Sequence, residues 1–412
     1  MSRTSPFRSA CFKLYHFAKR LDAKTLVDNA TYYAARNGCA NVAKEEEPIN
    51  DCYMIVVGTR PEIIKMAPLI RAMRKRCIPH VFVHCGQHYD YNMSQQFIEE
   101  LELPPPDYGF KVRAYSPGLQ TARILTLVER VVKKAEPQVV LVEGDTNGVL
   151  ASALAAVKLD VTVGHVEAGL RSFDLRMPEE HNRRLVDHIS KYLFAPTEIA
   201  KKNLEREAVW GNIYVTGNTV IDAVIQHVPL AERSSSIMDT IRFRRFALVT
   251  AHRAENVDDP VALRSFLEAF AQAPIPVVYP MHPRTRKRLR QQNMLRKFSN
   301  SENVQLLQPL GYFDFLVLMR RCEMIITDSG GIQEEATAPP IRKPVLVVRL
   351  STERPEAVTA GFAKVVGVEK CNILKAMEQT LASKFAAERM SPYGDGKAAE
   401  NILDILTREP IP

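Results

Sequence analysis

Three carboxylates carry the most legible chemistry in this sequence: Asp145, Glu167 and Glu179. Asp145 and Glu167 each follow a short apolar run. Glu179 lies in Met177-Pro178-Glu179-Glu180-His181-Asn182-Arg183, where Pro178 opens a helix and Arg183 falls one turn beyond Glu179. Gathered in one cleft, the three would form an acid/base set whose proton affinities repulsion and burial pull apart. The plainer alternative for Glu179 and Arg183 is an ordinary surface pair. His252 also ends an apolar run and can donate to an anion or carry a proton.

A second chemistry is anion binding. Ile326-Thr327-Asp328-Ser329-Gly330-Gly331-Ile332-Gln333-Glu334-Glu335 reads as a strand entering two glycines and then a helix. In that geometry Ser329, Gly330 and Gly331 bring backbone N–H groups close to a phosphate, and Glu335 can accept from ribose hydroxyls. A plain N-cap at Ser329 is the alternative. Arg60 and Lys65 flank a helix that starts at Pro61 and can neutralise a diphosphate, or else they are solvated bases. His80, His84 and His88 lack metal-ligand spacing, and neither a dinucleotide fingerprint nor a P-loop is present, so no metal and no tightly held cofactor is expected.

These residues need rigid strand ends to hold them. Apolar runs at 54–57, 81–84, 139–142, 161–164, 192–194 and 213–215, then at 247–250, 276–279, 304–307, 324–327, 345–348 and 364–366, alternate with helical segments. That is the pattern of α/β domains built on parallel sheets, where ligands bind beyond the carboxyl ends of the strands. The reading gives two Rossmann-like doubly wound domains facing a central cleft. The first spans 51–228 with the acids, and the second spans 246–393 with the phosphate-binding turn. Residues 229–245 are the expected linker, and 394–412 hold a helix that packs back across it.

Composition narrows the class. With 412 residues, 46% hydrophobic and 25% charged, the chain is long enough for two cores and needs no staple. The net charge of +8 is spread out. The densest basic run, from Arg284 to Arg290, lacks aromatic interleaving, so no nucleic-acid partner is expected. Seven cysteines without Cys-x-x-Cys spacing read as reduced thiols in the cytoplasm. No apolar stretch reaches membrane-spanning length. Residues 1–50 form a basic N-terminal extension, read as loosely ordered, with a transit peptide as the alternative.

The motifs also resemble a family. Gly58-Thr59-Arg60-Pro61-Glu62-Ile63-Ile64-Lys65, Gly144-Asp145-Thr146, Gly164-His165-Val166-Glu167-Ala168-Gly169-Leu170-Arg171, Pro178-Glu179-Glu180-His181-Asn182-Arg183, Gly217-Asn218-Thr219, Asp328-Ser329-Gly330-Gly331 and Thr352-Glu353-Arg354-Pro355-Glu356 are similar to the non-hydrolysing UDP-N-acetylglucosamine 2-epimerases, in the same order. The resemblance implies a glycosyltransferase-B-like fold. It also implies interconversion of UDP-N-acetylglucosamine and UDP-N-acetylmannosamine through loss and re-addition of UDP, and a homodimer that supplies amino sugars for polysaccharides. By matching motif, Asp145, Glu167, Glu179 and His252 would be catalytic with Arg183 in support. Arg60, Lys65, Ser329, Gly330, Gly331 and Glu335 would hold the nucleotide, and Phe315 would lie against uracil. Two departures stand out. Gln87-His88-Tyr89-Asp90 differs from the Gln-His-Arg of relatives with an effector site, which leaves substrate activation outside the resemblance. Ala168-Gly169 replaces the Gly-Gly pair of hydrolysing relatives, favouring return of UDP over its loss to water. A glycosyltransferase, a hydrolysing epimerase, an epimerase of another UDP-amino sugar and a nucleotide-sugar-binding protein are the remaining readings.

Overall fold

The computed structural model describes residues 52–86, 91–299, 301–383, 385 and 389–408. The N-terminal extension and the Gln87 to Asp90 motif lie outside them. The first unit runs β1 (Tyr53–Val57), α1 (Arg60–Lys75), β2 (His80–His84), α2 (Tyr91–Glu100), β3 (Tyr108–Gly109) and α3 (Pro117–Ala135). It continues through β4 (Val139–Glu143), α4 (Asn147–Val157), β5 (Thr162–Val166), α5 (Pro178–Ile189), β6 (Tyr192–Ala195), α6 (Glu198–Arg206) and β7 (Asn212–Val215). Helix α7 (Thr219–Ser234) and a 3-10 turn, Ile237–Thr240, lead onward.

The second unit runs β8 (Ala247–Thr250), α8 (Ala254–Val257), α9 (Pro260–Ala271), β9 (Val277–Pro280), α10 (Pro283–Gln291), α11 (Leu295–Ser299) and β10 (Val304–Leu307). Then come α12 (Tyr312–Arg321), β11 (Met324–Thr327), α13 (Gly330–Glu335), β12 (Val345–Val347), α14 (Pro355–Thr359), β13 (Ala363–Val365), α15 (Lys370–Ala382) and α16 (Ala398–Arg408).

All twelve apolar runs are strands. The thirteenth, β3, has only two residues and left no pattern to read. Both sheets are parallel throughout, in the orders β3-β2-β1-β4-β5-β6-β7 and β10-β9-β8-β11-β12-β13. Each reverses its winding once, between β1 and β4 and between β8 and β11, and at such a switch point the flanking loops splay to leave a ligand crevice.

Covered on both faces, the strands are almost wholly apolar: Tyr53 to Val57 and Val139 to Val142 are buried without alternation. The helices cover them with amphipathic faces. In α1, Pro61 sets the first turn, and Ile63, Met66, Ala67, Ile70 and Met73 are buried against the first core. Helix α7 serves both units: Ala223 joins the first core, while Val220, Ile221, Val224 and Val228 join the second. It extends through Pro229 to Ser234, so the chain leaves the first unit as helix rather than as open loop. Helix α16 returns to the first core through Ile402, Leu403 and Leu406. Its first amides, Ala398 N and Ala399 N, donate to Asp222 of α7 at 3.2 and 2.9 Å.

Candidate active site

The first switch point gathers charge in a place with little water. Glu62, in the opening turn of α1, is buried and accepts from Gly58 N at 2.6 Å and Thr59 Oγ1 at 2.8 Å. Burial pushes its carboxyl up to about 7 even against those bonds. One turn on, Lys65 Nζ donates to both Glu167 oxygens, at 2.7 and 2.6 Å, and lies 2.9 Å from Glu143 Oε1. Burial alone would lower the ammonium, but Glu143 and Glu167 overcome it and hold the proton firmly on Lys65. Burial likewise raises Glu167, yet Lys65, a hydrogen bond from Glu143 and the Arg354 charge bring it down to about 2. Glu143, buried at the end of β4 and facing the Glu167 charge, is pushed well above the carboxylate range.

Backbone geometry places Glu167 as firmly as charge does. Its φ of 69° lies in the left-handed region that side chains other than glycine's seldom adopt. The Asn218 amide helps to hold it: its nitrogen donates to Glu167 Oε1 at 3.1 Å while its oxygen caps α7 at Val220 N, 3.0 Å away.

Asp145 lies two residues beyond β4, ion-paired with Arg183 of α5. Arg183 also reaches Glu180 Oε2 at 3.2 Å, so it looks inward instead of pairing with Glu179. Glu179 itself is exposed on α5. Glu180, which the sequence reading passed over, is fully buried and accepts from Ser172 N and Oγ at 2.8 and 2.9 Å. Further along α5, Asp187 binds His165 Nδ1 at 2.7 Å, Arg171 Nη2 at 2.7 Å and Gly169 N at 3.2 Å. His165 Nε2 in turn lies 2.8 Å from the Gly144 carbonyl. One helix thereby ties down both loops, the one with Asp145 and the one with Glu167.

At the second switch point, Asp328 Oδ2 accepts from His252 N (2.9 Å), Arg253 N (2.8 Å) and Asn256 Nδ2 (3.0 Å). The partly exposed His252 ring has Nδ1 3.6 Å from Asp328 Oδ1 and stacks on His282 at 5.4 Å. Ser329 stands at the N-cap of α13 without a side-chain cap bond, Gly330 is buried, and Gly331 faces open space. The loop before α14 supports this turn: Thr352 Oγ1 donates to Gln333 Oε1 at 2.6 Å, and Gln333 Nε2 donates to Ser329 O at 3.2 Å. Arg354 pairs with the buried Glu334 and lies 3.5 Å from where a Cβ on Gly330 would stand. Glu335 is partly exposed, but enough protein surrounds its carboxyl, beside the Glu334 charge, to raise it to about 8. Phe315 is half-buried against the second core, and Arg60 is exposed with its guanidinium carbon 5.7 Å from the Phe97 ring.

The two switch points face each other. Arg354 of the second unit acts on Glu167 of the first, Lys65 interacts with Glu334, and Thr197 Oγ1 donates to Glu356 Oε1 across the units at 2.7 Å. The structure thus brings Lys65, Glu167, Glu143, Arg354 and Glu334 into one cluster, with Asp145 and Arg183 on the next loop. Arg60, Glu179 and Phe315 stand outside that buried cluster. Glu143 was overlooked because it continues an apolar strand by one residue, and only the β4–β5 register, Glu143 beside Val166, reveals its approach to Glu167. Among the described residues no group of three or more His, Cys, Asp or Glu is arranged to hold a metal ion.

Fold and site together define a two-domain Rossmann-type enzyme, with acids at the strand ends of one unit and the Ser329-Gly330-Gly331 turn at a strand end of the other. The family profile for UDP-N-acetylglucosamine 2-epimerase matches residues 71–407. A UDP-N-acetylglucosamine 2-epimerase of Methanocaldococcus jannaschii is 45% identical over 362 residues, covering 86% of this chain and 98% of that protein. The crystal structure of the Methanocaldococcus jannaschii UDP-GlcNAc 2-epimerase with UDP-GlcNAc and UDP superposes with a TM-score of 0.77 at 44% identity, covering 87% of this chain and all of that one. A UDP-2,3-diacetamido-2,3-dideoxy-D-glucuronate 2-epimerase of Pseudomonas aeruginosa is 38% identical, covering 86% and 99% of the two chains. The chain belongs to the UDP-N-acetylglucosamine 2-epimerase family.

Proposed function

We propose that this protein interconverts UDP-N-acetylglucosamine and UDP-N-acetylmannosamine by inverting C2 of the sugar. The observation that carries the reading is that the Arg354 guanidinium, which packs over Gly330 in the turn before α13, is close enough for its charge to act on Glu167. Acids and an anion site then share one substrate. A C2 hydrogen with no adjoining carbonyl is not acidic, so the C1–O bond breaks first or in concert, its electron pair leaving on UDP. Amides at Ser329 to Gly331 and nearby cationic groups stabilise that diphosphate. A carboxylate takes the C2 proton, and the C–H pair forms the C1=C2 double bond of 2-acetamidoglucal. UDP re-adds at C1 while an acid delivers a proton to the opposite face of C2. Asp145, Glu167 and Glu179 are the candidates for these two faces, with His252 and Glu335 on the nucleotide side.

Incubation with UDP-N-acetylglucosamine in D2O, followed at C2 by NMR, tests the proposal. Deuterium at C2 in a mixture of two UDP-sugars is expected. Release of free N-acetylmannosamine and UDP would mean hydrolysis. No exchange with this substrate, but exchange with UDP-2,3-diacetamido-2,3-dideoxy-glucuronate, would move the assignment to that sugar. The same reading makes the protein a cytoplasmic homodimer, which light scattering on the purified chain and fractionation of its host check.

A further inference from the structure

We propose that Glu143 and Glu167 hold one proton between them beside the Lys65 ammonium, so that Glu143 is the positioning residue that keeps Glu167 ionised and ready to exchange a proton with C2. The inference rests on the proposed epimerase reading for the role of Glu167.

Charge counting comes first. Two carboxylates contact one ammonium, and all three groups are withdrawn from water, with Glu143 only 2% exposed in its side chain. One cation neutralises one carboxylate. A second ionised carboxylate in that space would cost several kcal/mol of desolvation and repulsion, so one of the two keeps its proton.

Donor counting then says which. Glu167 accepts from Lys65 through both oxygens and from Asn218, three hydrogen bonds from two donor groups, and is satisfied as an anion. Glu143 Oε1 meets Lys65 at 2.9 Å as an ion contact without a directed hydrogen bond. A buried carboxyl oxygen left without a donor in this way marks Glu143 as the partner that keeps its proton. The directions of the two shifts agree, one far up and the other down to about 2.

The surrounding charges are Glu62 on α1, Asp145 beyond β4 with its partner Arg183, and Glu334 with Arg354 from the second unit. Glu62 reinforces the proton on Glu143, while Arg354 reinforces the charge on Glu167. The pair therefore has one proton and one vacancy. It can take a second proton from carbon, becoming neutral next to Lys65, and return it in the reverse direction with no change in the sum of protons.

Glu143→Gln preserves the donor and Glu143→Ala removes it. The expected result is that the glutamine variant keeps kcat within about tenfold of the parent, while the alanine variant falls ~100-fold or more. In both, UDP affinity by calorimetry stays at the parent value. The alkaline fall in kcat that comes from losing the shared proton should vanish in Glu143→Gln. Infrared spectra with 13C-glutamate should lose one protonated-carboxyl band in that variant. The proposal is overturned if the band persists, if the glutamine variant is as impaired as alanine with an unmoved pH profile, or if alanine stays within about twofold of the parent. Should Glu143→Ala fail to bind UDP, the glutamine profile and the infrared band decide alone. Failure of the parent protein to exchange C2 of any UDP-amino sugar sinks the epimerase reading instead, and leaves the infrared result standing.

Discussion

At the scale of residues, ion pairs here specify position more than they add stability. Arg354 and Glu334 illustrate it: the side chains are 11% and 0% exposed, so desolvation offsets much of their attraction. Removing one partner leaves the other stranded. Arg354→Ala should lower unfolding free energy by about 3–5 kcal/mol in urea titration, and adding Glu334→Gln should restore part of it. Glu167 is different, since it is strained as well as paired. Glu167→Gln should cut kcat by ~10²–10⁴-fold with UDP affinity retained, and an equal loss of both would mean that it only holds the loop. The sequence made Asp145, Glu167, Ser329 and His252 legible because each follows an apolar run. It hid Glu143, Glu180 and Glu334, whose importance comes from burial. Glu180 sits next to Glu179 and Glu334 next to Glu335, and in both pairs only the helix phase decides which carboxyl turns inward.

At the scale of elements, α5 and α7 are what hold the site together. Asp187 of α5 joins the Gly144 and Gly169 loops through His165 and its own Oδ2. Asp187→Asn keeps the shape and loses the charge, so kcat should drop about 100-fold while UDP binding persists, because a small misplacement of reacting groups is that costly. Helix α7 carries a buried His227 whose Nε2 lies 2.9 Å from Arg71 Nη1 and whose ring meets Tyr312 edge-on at 5.7 Å. Burial, with Arg71 adding to it, lowers this imidazole from 6.5 to about 3. The unfolded chain therefore binds a proton that the folded one refuses. The corresponding stability is complete above pH 6.5 and is lost as the pH falls toward 3. The change in unfolding free energy from pH 7 to pH 5, read by urea titration, should differ by about 2 kcal/mol between the parent and His227→Gln, since the raised carboxyls of Glu62 and Glu335, which work in the opposite direction, are common to both. Strand runs were readable because a parallel sheet buries both faces. The end of α7 was not, since Pro229 and the serines after it look like linker, and it is the burial of Val228 and Ala231 in the second core that carries the helix on to Ser234.

At the scale of the molecule, the proposed function requires that a nucleotide held by the second unit be felt by the first. The cores are largely separate, joined by α7, by Phe97 against Tyr312 at 6.2 Å and by the Thr197–Glu356 hydrogen bond at 2.7 Å. The chain has a single tryptophan, Trp210, and it belongs to the first unit, with Nε1 donating to His188 O at 2.8 Å. Its fluorescence therefore reports unfolding of the unit that does not contain Ser329. A ligand that binds only the folded state at a hundred times its Kd stabilises by about 2.7 kcal/mol. If UDP closes the two strand ends on each other, that whole increment should appear in the tryptophan transition and equally in far-ultraviolet circular dichroism. If it engages the second unit alone, the tryptophan midpoint stays where it was while the dichroism midpoint rises. Thr197→Val, which removes the polar bridge between the units, should separate the two probes even where the parent protein keeps them together.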